Sequence, residues 1–158
     1  MLGAYLVLIV VCFSCSAEDP SKVLERRLPH YEEIRKNYVY QSVLRLANLT
    51  QDPDFDNMIR DIRKITIYQP TATDSTFQIK DLRAGLRDEG YEELMDFKTA
   101  DKARASLWLN ESFKKPHYIG LLDSAEDDYI FEIDGEIDLE YVSALNLFNP
   151  QTLQDLIN

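Results

Sequence analysis

Cysteine is missing from everything beyond the N-terminal leader of this 158-residue chain, because Cys12 and Cys15 both lie within that leader. The absence excludes a disulfide framework, a thiolate nucleophile and a cysteine-ligated metal from the rest of the chain. Histidine, the usual general base and metal ligand, is nearly as scarce, since the chain has only His30 and His117. No G-x-S-x-G motif accompanies them, so we interpret both as ordinary surface side chains and do not predict a serine hydrolase.

Glycine and basic residues are also few. Four glycines are scattered beyond the leader, and they form no phosphate-binding loop. Lys and Arg number 17 against 28 Asp and Glu, which gives a formal net charge of −11. Such an acidic surface makes nucleic acid an improbable partner and repels anionic lipid headgroups. Attachment to a membrane must therefore come from a lipid or an apolar segment.

Charged side chains are absent from Met1 to Ala17, and Leu2 to Val11 is an apolar run. This run is too short to span a membrane but has the length of the hydrophobic region of an export signal. Two processing routes remain open: signal peptidase cleavage after Ala17, or cleavage before Cys15 that leaves an N-terminal cysteine for lipidation. The run FSCSAEDP resembles the corresponding region of exported Bacteroidota lipoproteins. We therefore predict lipidation at Cys15 and a membrane-anchored protein on the periplasmic or surface face of the envelope, with secretion as the alternative.

The hydrophobic pattern divides the chain into four segments. We predict an export signal over 1–17, a polar stalk over 18–37, a single α+β domain over 38–148 and a short helical tail over 149–158. A domain of this length can bury a core without disulfide or metal support.

The predicted domain begins with a strand at Tyr38 to Ser42, and a helix then starts at Asp52. A strand at Lys64 to Gln69 and a helix ended by Gly90 follow. Asp138 caps a last helix in this prediction. Between Gly90 and Asp138, four alternating runs are typical of a β-meander, at 91–98, 103–111, 117–124 and 128–135. The expected fold is a two-layer α+β domain whose sheet is mixed but mostly antiparallel, ends in the four-strand meander and carries helices on one face.

Four phrases in this region, LRLANL, IRKITIY, YEELM and EIDGEIDLEYVSAL, resemble the family catalogued as domain of unknown function 4252. The resemblance covers roughly Tyr38 to Leu147. Members of that family are small exported proteins, often lipoproteins, that are frequent in Bacteroidota. The resemblance implies export and a single α+β domain, and it transfers no functional residue because the phrases describe strands, turns and helices.

Trp108 suggests a binding surface. Positions 103, 105, 107 and 109 form a plausible core face, which leaves Trp108 on the opposite face among polar neighbours. We predict that Leu122 and Ile130 lie beside it and form an apolar patch for an envelope protein partner. The alternative is that the N-terminal segment or the C-terminal tail folds over this patch.

Carboxylates offer the other candidate chemistry. Four acids crowd the last hairpin turn, where calcium would relieve their mutual repulsion: Asp123, Glu126, Asp127 and Asp128. The alternative interpretation is an ordinary solvated turn. Calcium is the only cofactor that the sequence suggests.

The acids at Asp134, Glu136, Asp138 and Glu140 would suit a pair of hydrolytic carboxylates, although Asp138 is also the predicted helix cap. The sequence thus favours a non-enzymatic binding or accessory lipoprotein of the cell envelope. The alternative is a carboxylate-based, calcium-dependent envelope hydrolase.

Overall fold

A computed structural model describes residues 19–47, 52–70, 77–98, 103–125 and 127–144. The described helices are α1 Ser21–Arg27, α2 Gln41–Ala47, α3 Pro53–Ile59 and α4 Ile79–Asp88, with 3₁₀-helices at Tyr31–Glu33 and Leu139–Ala144. The described strands are β1 Arg35–Tyr40, β2 Ile62–Gln69, β3 Glu92–Lys98, β4 Arg104–Asn110, β5 His117–Asp123 and β6 Asp128–Gly135. They form one sheet in the order β1-β2-β6-β5-β4-β3.

The α+β class and the four-strand meander are confirmed, because β3, β4, β5 and β6 pair in sequence order. All five strand pairs of this sheet are antiparallel. The helices α2 and α3 connect β1 to β2, and β2 then pairs with β6. Since β3 lies at the far edge from β1, the connection through α4 has to cross a face of the sheet.

One face of the sheet, which we call the α2/α3 face, packs against helices α2 and α3. Alternate residues of the strands supply its core, including Ile65, Leu107 and Phe131. The helices contribute Leu44, Met58 and Ile59, all of which are almost completely buried. This face holds the 103, 105 and 107 row that the sequence placed in the core.

The opposite face, which we call the α1/α4 face, is covered as well. The helices α1 and α4 contribute Leu24 and Leu86, both fully buried, and they pack in one cluster with Trp108, Ile119 and Ile130. The helices therefore lie on both faces of the sheet and not on one. The segment predicted as a polar stalk belongs to the domain from Asp19 onward, because α1 is part of this second core.

The burial pattern of the strands explains why helices were predicted on only one face of the sheet, although they cover both faces. In β6, Tyr129, Phe131 and Ile133 point to the α2/α3 face, whereas Ile130 points to the α1/α4 face. In β5 the apolar run IGLL fills both faces at once. A strand buried on both sides loses its alternation and reads as a continuous apolar run.

Local signals at the ends of elements are borne out where the structure describes them. The side chain of Asp52 accepts a hydrogen bond from the backbone N–H of Asp54, and Pro53 follows as the first helical residue. Gly90 has a φ of 81° after α4, as a helix-ending glycine does. Gly135 has a φ of 137°, and a Cβ there would collide with the backbone oxygen of Asp61.

The last predicted helix begins as a 3₁₀-helix. The Asp138 carboxylate accepts the backbone N–H of Glu140 at 3.2 Å, so Asp138 is its cap as predicted. Leu139 is exposed rather than buried. The rest of that predicted apolar row and the helical tail over 149–158 lie outside the described side chains.

Candidate functional site

The predicted partner surface around Trp108 is wrong, because Trp108, Leu122 and Ile130 are all fully buried. The indole Nε1 donates a hydrogen bond to Ser106 Oγ at 2.9 Å, and the Arg87 guanidinium lies 5.0 Å from the ring centroid. Ser106, one of the polar neighbours that suggested an exposed surface, is thus the hydrogen-bond partner of a buried tryptophan.

Leu122 does not even share a face with Trp108. It pairs with Tyr129 and packs in the α2/α3 core, whereas Ile130 pairs with Leu121 and packs with Trp108. The alternative, that the N-terminal segment covers the patch, agrees with the position of α1, and α4 completes the cover. Within the described part of the chain, these three side chains therefore offer no apolar patch to a partner.

The acidic hairpin turn is partly described, because Glu126 lies outside the described residues. Asp123 and Asp128 face each other across β5 and β6, and Asp123 Oδ2 lies 4.0 Å from Arg83 Nη1. Burial, followed by the negative charge of Asp123, raises the pKa of Asp128 to about 6. Within the described residues, no group of three or more His, Cys, Asp or Glu is arranged to hold a metal ion.

A chain of hydrogen bonds runs across the α1/α4 face, and we call it the Tyr–His–Glu chain. His117 Nδ1 lies 2.5 Å from Tyr91 Oη, and His117 Nε2 lies 3.1 Å from Glu132 Oε1. Tyr68 Oη donates to Glu132 Oε2 at 2.6 Å, and Tyr31 Oη lies 3.4 Å from Tyr68 Oη. His117 is therefore not a surface histidine, since only 6% of it is exposed.

Antiparallel register brings these side chains together. Glu132 of β6 lies between Ile119 of β5 and Thr66 of β2, so the strand that carries His117 and the strand that carries Tyr68 flank it. All of these side chains point to the α1/α4 face, where alternation places every second residue of each strand.

The carboxylate of Glu132 is ionised within this chain. Burial alone would raise the pKa of Glu132, but the hydrogen bonds from His117 and Tyr68 outweigh burial and hold that pKa below its usual range. Burial, together with the nearby Glu132 charge, raises the pKa of both Tyr68 and Tyr91, so both remain protonated donors. The neutral tautomer that fits this network has its proton on His117 Nε2, which donates to Glu132, while Nδ1 accepts the Tyr91 hydroxyl proton.

The chain borders a cavity of about 510 Å³. Thr66, His117 and Glu132 form its floor on the sheet, and the β4–β5 hairpin lines one side. Residues 19–21, where α1 begins, also line it. This volume is within the range of pockets that hold small molecules. Its apolar lining comes from Pro20, Phe113, Pro116 and Ile133.

The rim of the cavity is basic, although the whole chain is strongly acidic. Four cations line it, Arg63, Lys64, Lys114 and Lys115, against three carboxylates, Asp19, Glu132 and Asp134. The lining thus has a net charge of +1 with His117 neutral, in a chain of net charge −11.

The four cations of the lining differ in their contacts with other side chains. Arg63 is paired with Asp134, and Lys64 Nζ lies 5.5 Å from the Tyr38 ring centroid. Lys114 and Lys115 are exposed and form no hydrogen bond or ion pair within the described parts of the chain. A neighbouring hollow shares Lys115 but is also lined by Asp61 and Glu136, so the basic rim ends there.

Sequence reasoning missed this site because its members are far apart in the chain. Tyr31, Tyr91 and Glu132 join His117 only through the pairing of β2, β6 and β5 and the docking of the N-terminal segment. One signal was available: two adjacent lysines, Lys114 and Lys115, lie just before the strand that begins at His117.

The described architecture defines a class: an antiparallel α+β domain with helices on both faces of its sheet and a polar cavity on one of them. A family model described as a domain of unknown function, DUF4252, matches residues 31–145, and the chain belongs to that family. Comparison with curated proteins and with solved structures found no match. Each helix in the described ranges falls short of the length and hydropathy that a membrane-spanning helix requires.

Proposed function

We propose that this protein is an exported binding protein of the bacterial cell envelope, attached to the membrane by a lipid on Cys15, and that its ligand occupies the basic cavity. Three features support the proposal: the uncharged leader, the cysteine four residues before the domain begins at Asp19, and the preformed cavity. The observation that carries it is the Tyr–His–Glu chain, which fixes the cavity floor.

The same chain favours binding over catalysis. Both ring nitrogens of His117 and both carboxylate oxygens of Glu132 already have protein partners. A general base has to lie within hydrogen-bonding reach of the substrate proton, and these atoms are directed at protein groups instead. His117 and Glu132 are better suited to hold the sheet and the hairpin in one arrangement, which lowers the entropic cost of binding.

The alternative of a carboxylate hydrolase gains no support from the described residues. Asp134 is paired with Arg63, Asp138 caps a helix, and Asp123 and Asp128 lie beside Arg83. Asp134 and Asp138 thus each have a structural role that explains their position, and Asp123 and Asp128 face each other at the far end of β5 and β6. We therefore do not propose a hydrolase.

Two measurements test the proposed function. Metabolic labelling with a clickable fatty acid should label the wild-type chain and not Cys15→Ser, and an unlabelled wild-type chain would contradict the anchor. For the cavity, a photoreactive amino acid at Lys115 should give a defined adduct in intact envelopes. The same group at Lys98, an exposed lysine on β3, is the matched control, and equal adducts from both positions would contradict a cavity ligand.

A further inference from the structure

The cavity lies close to the proposed anchor along the chain. Asp19, Pro20 and Ser21 line it, and Cys15 precedes Asp19 by four residues. Four residues span at most about 14 Å, whatever path the chain takes between them. A lipid on Cys15 therefore holds the mouth of the cavity near the headgroup layer of its own membrane.

The lining of the cavity has a net positive charge, whereas the whole chain has a net negative charge. A net charge of −11 repels an anionic membrane surface, so a domain tethered there is expected to turn a basic region toward the lipid. The cavity rim carries such a region, with Lys64, Lys114 and Lys115 around the opening. Lys114 and Lys115 have no partner within the described residues, which leaves their ammonium groups available to a ligand.

We propose that the basic cavity receives the phosphate group of an anionic phospholipid headgroup from the membrane that holds the Cys15 anchor. The inference rests on the proposed function. Ammonium groups form charge-assisted hydrogen bonds with phosphate oxygens, and Lys114 and Lys115 supply them at the hairpin. Phe113 and Pro116 border the same opening and offer apolar contact to the glycerol and the first acyl carbons. A headgroup bound there is a second attachment that fixes how the domain sits on the membrane.

The test uses the mature chain from position 15 with Cys15→Ser, so that neither leader nor lipid attaches it to a bilayer. Flotation with vesicles measures binding to phosphatidylcholine alone and to phosphatidylcholine mixed with phosphatidylglycerol. We expect binding only to the anionic vesicles. Lys114→Glu/Lys115→Glu should weaken it by roughly thirtyfold or more, because each lost basic side chain near an anionic surface accounts for about fivefold and each new carboxylate is repelled by that surface.

The matched control is Lys80→Glu/Lys98→Glu, which changes the net charge equally at two other exposed lysines, on α4 and β3. It should leave vesicle binding nearly unchanged. Because all four lysines are exposed, both double variants should fold, and a thermal melt of each verifies this. Equal loss in both double variants would mean that only net charge matters and would overturn the proposal, as would wild-type chain that fails to float with anionic vesicles.

A second measurement locates the headgroup. Amide chemical shifts are followed during a titration with dihexanoyl phosphatidylglycerol, which is a soluble short-chain lipid. A parallel titration uses inorganic phosphate. The expected shifts lie at Thr66, Phe113, Lys115 and His117 with the lipid, with Lys80 and Lys98 unmoved. Shifts with phosphate but none with the lipid would assign the cavity to a free anion and overturn the headgroup proposal.

Neither vesicle nor shift experiment involves a fatty acid on Cys15, so their failure is distinguishable from failure of the anchor. A chain that is labelled at Cys15 and cross-links from Lys115, but ignores anionic lipid, would keep the proposed function and lose this inference.

Discussion

The two faces of the sheet are both packed against helices but are built from different kinds of side chain. The α2/α3 face is a continuous apolar core. The α1/α4 face contains every buried polar or charged side chain of the described residues, namely Thr66, Arg83, Ser106, Asn110 and His117. Burial of polar groups costs free energy unless they are hydrogen-bonded. This free-energy cost is therefore concentrated on the face that also holds the cavity.

Apolar packing is nonetheless expected to dominate the stability of both faces, and Trp108 offers the largest effect. We expect Trp108→Ala to lower the free energy of unfolding by about 3–5 kcal/mol, because a fully buried indole leaves a cavity that the sheet cannot close. Urea unfolding of the variant beside Leu107→Ala, its neighbour on the other face, measures the comparison. Trp108→Phe retains most of the volume and should cost much less. A loss below about 1 kcal/mol for Trp108→Ala would return Trp108 to a surface role.

Glu132→Gln tests the polar content of the α1/α4 face. We expect a loss of about 1–3 kcal/mol at pH 7, since two hydrogen bonds to a charged acceptor become neutral ones. The folded-state pKa of Glu132 is lowered, so the stability that its charge contributes is present above the ordinary pKa of 4.5 and is lost as the pH falls through the folded-state pKa.

The measurement is urea unfolding of both chains at pH 7 and again under acidic conditions. The gap between wild type and Glu132→Gln should shrink on acidification. Glu136→Gln, an exposed acid just after the same strand, is the control and should change little. A gap of the same size at both pH values would show that the charge of Glu132 does not stabilise the fold.

The sequence predicted the positions of strands and helix ends well, but it did not predict which faces of the sheet are covered by helices. Period-two alternation located all four meander strands, because this pattern is local and needs no partner. Caps at Asp52 and Gly90 follow from backbone chemistry that acts within one turn. The number of covered faces depends on where α1 and α4 dock, and docking is a long-range property.

The candidate site could not be predicted from the sequence for the same physical reason. The side chains of Tyr91, His117 and Glu132 meet only after three segments have been placed in register, and no spacing in the sequence encodes that register. Trp108 illustrates the converse error. Its polar neighbours Ser106 and Asn110 read as an exposed face, yet both are buried on the side that α1 and α4 cover.

Asp128→Asn should change stability in the opposite direction from Glu132→Gln, because it removes a partly buried charge that folding disfavours. The folded-state pKa of Asp128 is raised to about 6 from 3.8, so folding favours its neutral form. The neutral form is fully present below pH 3.8, and its advantage is lost as the pH rises through 6.

We expect Asp128→Asn to raise the free energy of unfolding by about 1 kcal/mol at pH 8, a figure that allows for solvent screening of a partly exposed group, and to have little effect at pH 4. Thermal unfolding at both pH values checks this, with Asp127→Asn as control. A variant that is less stable than wild type at pH 8 would mean that the Asp128 charge is needed beside Arg83.

The smallest effect concerns how α1 is held on its face. Glu89 accepts hydrogen bonds from Arg26 at 2.7 Å and from Arg27 at 2.9 Å, which joins α1 to the end of α4. Both arginines are about a third exposed, so we expect Glu89→Gln to cost only about 0.2–1 kcal/mol. Leu24→Ala on the same helix should cost about 2–5 kcal/mol, because Leu24 is fully buried. Urea unfolding of both variants, at low salt and at high salt, separates the two contributions. If Glu89→Gln cost as much as Leu24→Ala, α1 would be held mainly by its ion pairs, and added salt would then release the helix that covers Trp108 and lines the cavity.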